Sequence, residues 1–148
     1  MKRIGVCLVL AMCVGCSTNG NLLSAAEAQG EFEAARSQIP LPGGYEFAEI
    51  QIPDGNAVYE RGFGDVQAET YAQCAWFDHW LASFESGDAQ AMQESLGVLT
   101  TFRSGFLYRN ADSSYQRGFD RVLESMTNSS LDLVTRELDI NCPELNRL

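Results

Sequence analysis

Five cysteines are the residues of this 148-residue chain with the most distinctive chemistry. Cys7, Cys13 and Cys16 lie close together near the start, whereas Cys74 and Cys142 stand alone. Neither of these two has the CxxC or histidine spacing of a zinc site, so we expect no metal there. In an oxidising compartment the two form a disulfide, and two buried free thiols are the alternative. Closing their loop of 68 positions would stabilise the fold by up to about 4 kcal/mol.

A histidine and many carboxylates are the other residues that could do chemistry. His79 is the single histidine, and the helical pattern around it predicts an exposed position opposite an aromatic face. A catalytic histidine needs a nucleophile and an orienting carboxylate, but the adjacent Asp78 would point roughly 100° away on the same helix.

Paired carboxylates could serve a hydrolase, and the chain has 20 acidic residues from which to form pairs. A chain this acidic produces such pairs by chance. The sequence contains no EF-hand loop, nucleotide-binding glycine loop or GxSxG elbow, so we expect no cofactor. The candidate pairs are Glu46 with Glu49, Glu60 with Asp65, and Asp120 with Glu124.

Residues 1–16 have the sequence pattern of an export leader. Lys2 and Arg3 precede an apolar run over residues 4–14, which is shorter than the roughly 20 residues needed to cross a bilayer. The run ends in Val14, Gly15 and Cys16. This ending resembles the lipobox of bacterial lipoproteins, although cysteine stands three residues before Cys16, where that family usually has leucine. The resemblance implies that residues 1–15 are a cleaved signal peptide and that Cys16 is lipidated.

Negative charge is concentrated in the first two-thirds of the chain. The formal net charge is −10 and the isoelectric point is about 4.4. Residues 17–102 contain 13 acids and 2 arginines, whereas residues 103–148 contain 7 acids and 6 arginines. Such a field repels nucleic acid and anionic lipid head groups and favours a cationic partner. Solubility alone is the alternative explanation.

Composition shifts divide the rest of the chain into a tether and one domain. Residues 16–38 are small and polar, which predicts a flexible tether that carries the lipid and gains a helical turn or two around Glu31 to Arg36. The breaker segment at 39–44 marks the start of a single domain over residues 39–148. Within it, residues 45–52 and 57–63 flank a turn and predict a β-hairpin, with an extended segment as the alternative.

Helical periodicity dominates after the hairpin. It predicts helices over residues 65–85 with Asp65 as N-cap, over 88–102 with Asp88 as N-cap, from about 114, and from about 130 to just before Pro143. We therefore expect a mainly α fold of about four helices, fronted by the hairpin or an extended segment. One disulfide would join the last helix to the first.

The segment YAQCAWFDHW, residues 71–80, resembles parts of uncharacterised exported proteins from high-GC Gram-positive bacteria. That resemblance implies an exported, helical protein and no particular activity. We expect a lipid-anchored, extracytoplasmic protein of the cell envelope that binds another component without catalysis, in its sharpest form a cationic protein or peptide. The alternative is a small hydrolase with paired carboxylates, which requires a deep cleft lined by two acids.

Overall fold

The computed structural model describes residues 22–50, 52–53 and 57–142, and these residues are mainly helical. This confirms the predicted fold class. Two short strands, β1 (Leu22–Leu23) and β2 (Tyr59–Glu60), pair in antiparallel fashion, and a 3₁₀ turn occupies Phe102–Ser104. The six helices of the described part are α1 (Ala25–Arg36), α2 (Phe63–Ser86), α3 (Ala89–Thr101), α4 (Phe106–Asn110), α5 (Ser113–Thr127) and α6 (Asp132–Asn141).

Helix α2 is the centre of the fold and is buried on more than one side. Its aromatic residues Trp76, Phe77 and Trp80 lie in the core, as the sequence predicts for an amphipathic helix. Ala75 and Ser83, which the helical pattern placed on an exposed face, are also buried. Helices α1, α3, α4 and α6 all pack against α2, so it has no broad solvent-facing side.

The predicted flexible tether is wrong for residues 25–36, which form the docked helix α1. Ser24 and Glu27 start the helix with a reciprocal capping box. Ala28 and Phe32 are buried against α2. Gly64 permits this contact, because a Cβ there would lie 2.2 Å from the Phe32 backbone nitrogen. The folded domain therefore begins well before residue 39, and residues 16–21 lie outside the described part.

The predicted hairpin is also wrong in its pairing. Strand β2 pairs with β1, with Leu22 opposite Glu60 and Leu23 opposite Tyr59, whereas residues 45–50 form an extended segment without strand pairing. This is the alternative that the sequence left open. The residues of the predicted turn at 54–56 lie outside the described part.

Side-chain hydrogen bonds fasten the segment from residue 39 to residue 50 along α2. The indole Nε1 of Trp76 donates to the Pro40 carbonyl at 2.9 Å, and the Tyr71 hydroxyl donates to the Glu46 carbonyl at 2.6 Å. The Tyr45 hydroxyl donates to Asp78 at 2.5 Å. The breaker segment thus covers the central helix and does not separate a tether from a domain.

The sequence predicts the start of α3 correctly and the start of α2 wrongly, and the difference lies in the residue that precedes each helix. Asp88 caps α3 as expected, accepting from the Gln90 and Ala91 amides. Helix α2 begins instead after Gly62, which adopts φ 89° and supplies no side-chain cap. Asp65 therefore lies inside the first turn of α2.

The disulfide between Cys74 and Cys142 is present and confirms the predicted pair. Its Cα atoms are 5.6 Å apart, within the usual range for such bonds. Cys142 directly follows α6, so the bond joins the end of the last helix to the middle of α2. Val134 and Leu138 bury the inner face of α6 beside it.

Candidate functional site

A cavity of about 360 Å³ lies between α2, α4, α5 and α6, next to the disulfide. Its volume falls in the range of small-molecule sites. Helix α2 supplies Gln73 and Phe77 to its wall, α5 supplies Tyr115 and Phe119, and α6 supplies Glu137. The disulfide fixes α6 against α2, so the same covalent bond that stabilises the fold also shapes the cavity.

Gln73, one of the residues that line the cavity, has a buried amide nitrogen. The side chain is 6% exposed, and its Oε1 accepts a hydrogen bond from the Tyr115 hydroxyl at 2.9 Å. Its Nε2 has no hydrogen-bond partner among the described residues. A buried donor without a partner costs about 1–3 kcal/mol, so this side chain is held in place at some expense to the stability of the fold.

The electrostatic environment of the cavity is negative. Burial, with the charges of Glu137 and Glu69, raises the pKa of Tyr115 to about 12, even though the hydrogen bond to Gln73 opposes the shift. The hydroxyl of Tyr115 therefore stays protonated at neutral pH. Glu137 itself is oriented by Asn141, whose Nδ2 donates to Glu137 Oε1 at 2.9 Å.

His79 is half-buried, so the prediction of an exposed histidine is wrong. Its Nδ1 lies 2.9 Å from the Ser95 hydroxyl of α3, and its ring meets the Trp76 ring edge-on. Helix α3 covers the face of α2 that the helical pattern assigned to solvent. Ser95 is fully buried and donates to the Ala91 carbonyl. A substrate cannot reach that hydroxyl, and the pair joins two helices.

The predicted carboxylate pair Asp120–Glu124 lies on one helix beside a shallow depression of about 320 Å³. Asp120 is already engaged by Arg103 at 2.8 Å and by the Tyr108 hydroxyl at 3.0 Å. The two carboxylates therefore follow each other along α5 and do not face each other across a cleft.

The other two predicted pairs do not form a site either. Glu46 and Glu49 are exposed on the extended segment, and Glu60 is exposed on β2. Asp65 is near Glu31 and Glu69 instead. Burial, with the Glu31 charge as the second cause, raises the Asp65 pKa. Among the described residues that line the cavity of about 360 Å³, one carries a carboxylate, and it is Glu137.

Two acids that the sequence did not single out cap helices in other parts of the chain. Glu31 of α1 accepts from the Gly62 and Gly64 amides at 2.9 and 3.4 Å, at the start of α2. Glu69 of α2 accepts from the Phe106 and Leu107 amides at 2.6 and 3.0 Å, at the start of α4. A carboxylate at a helix N-terminus satisfies free amides and complements the helix dipole.

Glu69 also illustrates competing effects on one carboxyl group. Its burial raises the pKa, and the hydrogen bonds from Phe106 and Leu107 lower it without cancelling the burial effect. A Cβ at Gly105 would lie 2.5 Å from the Glu69 carboxylate, so the small residue before α4 is needed for this contact.

A metal-binding cluster and a membrane-spanning helix are both absent from the described ranges. In that part of the chain, no three His, Cys, Asp or Glu side chains come together as metal ligands would. The same residues contain no helix with the length and apolar character to cross a bilayer. Cys16, the predicted lipidation site, lies outside the described part.

No protein-family model, curated protein or solved structure matches this chain.

Proposed function

We propose that this protein is a lipid-anchored binding module of the cell envelope that holds a cationic protein or peptide on an acidic surface. The observation that carries the proposal is the uncompensated charge of residues 17–102, in which 13 acids accompany 2 arginines. A surface of one sign attracts partners of the other sign and accelerates their encounter.

The fold leaves much of this charge without an internal partner. Among the described residues of this part, the one ion pair joins Arg36 to Glu33 on the same helix, at 2.6 Å. Direct ion pairs among these residues therefore neutralise little of the charge. Five acids of this part are exposed on β2, α2, α3 and the extended segment, namely Glu46, Glu49, Glu60, Glu85 and Glu94.

The proposed anchor would hold the domain close to the membrane. Strand β1 begins at Leu22, so the five residues 17–21 would separate Cys16 from the fold, a span of at most roughly 20 Å. A domain held at that distance would place its acidic surface among the soluble cationic components near the membrane.

Binding of deca-lysine tests the acidic surface. The double variant Glu85→Gln/Glu94→Gln removes two exposed charges from the acidic part. Its matched control, Glu124→Gln/Asp139→Asn, removes two exposed charges from the balanced C-terminal part. We expect the first variant to weaken binding about three- to tenfold and the control to change it less than twofold, with the difference shrinking at high salt.

Equal effects of the two variants, or an affinity that does not depend on salt, would contradict the proposal. Calorimetric titration at two salt concentrations provides the measurement. Pull-downs from envelope extracts at the same two concentrations extend it to natural partners.

Intact mass of the protein recovered from membranes tests the anchor. We expect the mass of residues 16–148 plus acyl groups, increasing by about 2 Da on reduction as the disulfide takes up two hydrogens. Recovery of an unmodified full-length chain with three or more free thiols would overturn both the anchor and the extracytoplasmic location.

A further inference from the structure

We propose that the exposed face of the β1–β2 ribbon, with the apolar side chains of Leu22 and Val58, contacts the phospholipid bilayer beside the lipid anchor. The partner is a bilayer surface of zwitterionic phospholipid. The contact depends on the anchor of the proposed function and adds a second, non-covalent attachment. It fixes which end of the domain faces the membrane.

The strand register places Leu22 and Val58 on one face. Leu22 lies opposite Glu60, and Leu23 lies opposite Tyr59. Opposed residues of an antiparallel pair project their side chains to the same face, and successive residues alternate between the two faces. Val58 directly precedes β2 and therefore shares the face of Leu22 and Glu60, where it is the diagonal neighbour of Leu22 at roughly 7–8 Å.

The two faces of the ribbon differ sharply in exposure. Leu23, on the inner face, is 5% exposed, and the Tyr59 ring packs on Phe63 with centroids 4.9 Å apart. Leu22 and Val58, on the outer face, are 45% and 63% exposed. Their side chains are therefore within reach of a partner, and no described part of the chain covers them.

The position at which the tether ends identifies that partner. Leu22 follows Cys16 after the five residues 17–21, so this end of the domain stays within at most roughly 20 Å of the anchored lipid. A short flexible linker gives the tethered surface an effective concentration on the order of millimolar. Two apolar side chains, which would bind a bilayer too weakly from solution, are sufficient under that condition.

The charges beside the face favour a shallow contact with zwitterionic lipid. Glu60 is exposed directly opposite Leu22, and its carboxylate must stay hydrated because burial of an unpaired charge is costly. Arg61, the next residue, is also exposed and supplies a positive charge for a lipid phosphate. The chain as a whole carries a formal charge of −10, so an anionic bilayer would repel it.

The contact leaves the acidic end of α2 open to a cationic partner. Helix α2 begins at Phe63, three residues after β2, and has 24 residues. At 1.5 Å per residue, Glu85 lies roughly 33 Å along the helix from Phe63. The membrane contact therefore uses a different part of the surface from Glu85 and Glu94.

Hydroxyl-radical footprinting measures the contact on native side chains. The lipidated protein recovered from membranes is reconstituted in phosphatidylcholine vesicles, and oxidation of each residue is quantified by mass spectrometry. Leu133 and Ile140 of α6 are matched controls, because their exposures of 36% and 59% are close to those of Leu22 and Val58. We expect Leu22 and Val58 to be oxidised at least about threefold less than this control pair.

A longer tether separates coverage by the bilayer from coverage by the protein itself. Insertion of about 20 Gly and Ser residues between residues 21 and 22 lowers the effective concentration about tenfold, because it falls with roughly the −3/2 power of tether length. Oxidation of Leu22 and Val58 should then rise towards that of the α6 pair, whose own oxidation should not change.

Equal oxidation of the two pairs in the native protein would overturn the proposal. So would protection that survives the longer tether, or protection that appears only in phosphatidylglycerol vesicles. Intact mass of the same sample reports the anchor separately. An acylated protein without protection would refute the membrane contact alone, whereas an unacylated protein would refute the anchor and the contact that depends on it.

Discussion

Gly64→Ala tests whether α1 is a docked part of the domain, because Gly64 lies where α1 and α2 approach closely. A Cβ at this position would lie 2.2 Å from the Phe32 nitrogen and 2.6 Å from the Ala28 carbonyl oxygen. Ordinary contacts of these types need about 1 Å more. Both contacting atoms belong to the backbone of α1, so a side-chain rotation cannot relieve the overlap and the whole helix must move.

The magnitude follows from two opposing effects. Overpacking of this kind costs about 1–3 kcal/mol, and replacement of a helical glycine by alanine returns up to about 1 kcal/mol. We therefore expect Gly64→Ala to lower the free energy of unfolding by about 1–2 kcal/mol. If residues 25–36 were a flexible tether, the Cβ would meet no helix. Only the better helix propensity of alanine would then act, and the substitution would stabilise the protein.

Urea denaturation followed by circular dichroism measures the sign of this change. Gly30→Ala and Gly97→Ala are matched controls, because each glycine lies inside a helix and a Cβ there would meet no atom within 4 Å. Both should raise the free energy of unfolding by about 0.5–1 kcal/mol. A Gly64→Ala protein as stable as these controls would refute the docked position of α1.

Three further measurements address the disulfide and the buried carboxylates. Reduction, or the double variant Cys74→Ser/Cys142→Ser, should lower the free energy of unfolding by up to about 4 kcal/mol, and a loss below 1 kcal/mol would show that the bond does not constrain the unfolded chain. Glu69→Gln should cost about 1–3 kcal/mol and expose the Leu107 amide to hydrogen exchange, whereas the exposed Glu85→Gln should be neutral. The third measurement is pH dependence: because burial raises the folded-state pKa of Glu69 above its ordinary 4.5, the folded state takes up this proton first. Its contribution to stability therefore rises as the pH falls from neutrality through the raised pKa towards 4.5. Glu69→Gln should remove that part of the slope in denaturation curves recorded at several pH values, and an unchanged slope would contradict the shift.

The sequence predicted those parts of the fold whose signals are local or covalent. The apolar stripe of α5 at Phe119, Val122 and Leu123 has helical spacing and is buried as expected. The disulfide followed from cysteine count, because Cys7 and Cys13 lie in the predicted leader and Cys16 is the predicted lipidation site, which leaves the pair Cys74 and Cys142. Neither prediction required knowledge of which helices are neighbours.

Predictions failed where burial depends on small residues. Helix α1 buries little besides Ala28 and Phe32, so its sequence resembles a polar linker. Its docking relies on Gly64 in another helix, and no pattern within residues 16–38 indicates that contact. His79 was misplaced for the same reason, because alanine and serine on one face of α2 indicate a close helix contact as readily as a solvent-facing side.

The candidate site could not be read from the sequence at all. Gln73 and Tyr115 are 42 positions apart, and their hydrogen bond forms only when α5 packs on α2. Glu137 reaches the same cavity through a third helix, which the disulfide holds in place. A glutamine on a helix is ordinarily a surface residue, and only its burial without a partner marks it.

The acidic residues fall into two groups, which the structure distinguishes by their contacts. Glu31 and Glu69 are bound to backbone amides at the starts of other helices, so their charge is part of the fold and removing it would disturb packing. The exposed Glu85 and Glu94 make no hydrogen bond or ion pair of this kind within the described residues. The formal net charge does not distinguish the two groups. Substitutions confined to the exposed group therefore test binding by negative charge without disturbing the contacts that cap the helices, and we expect them to leave the free energy of unfolding nearly unchanged.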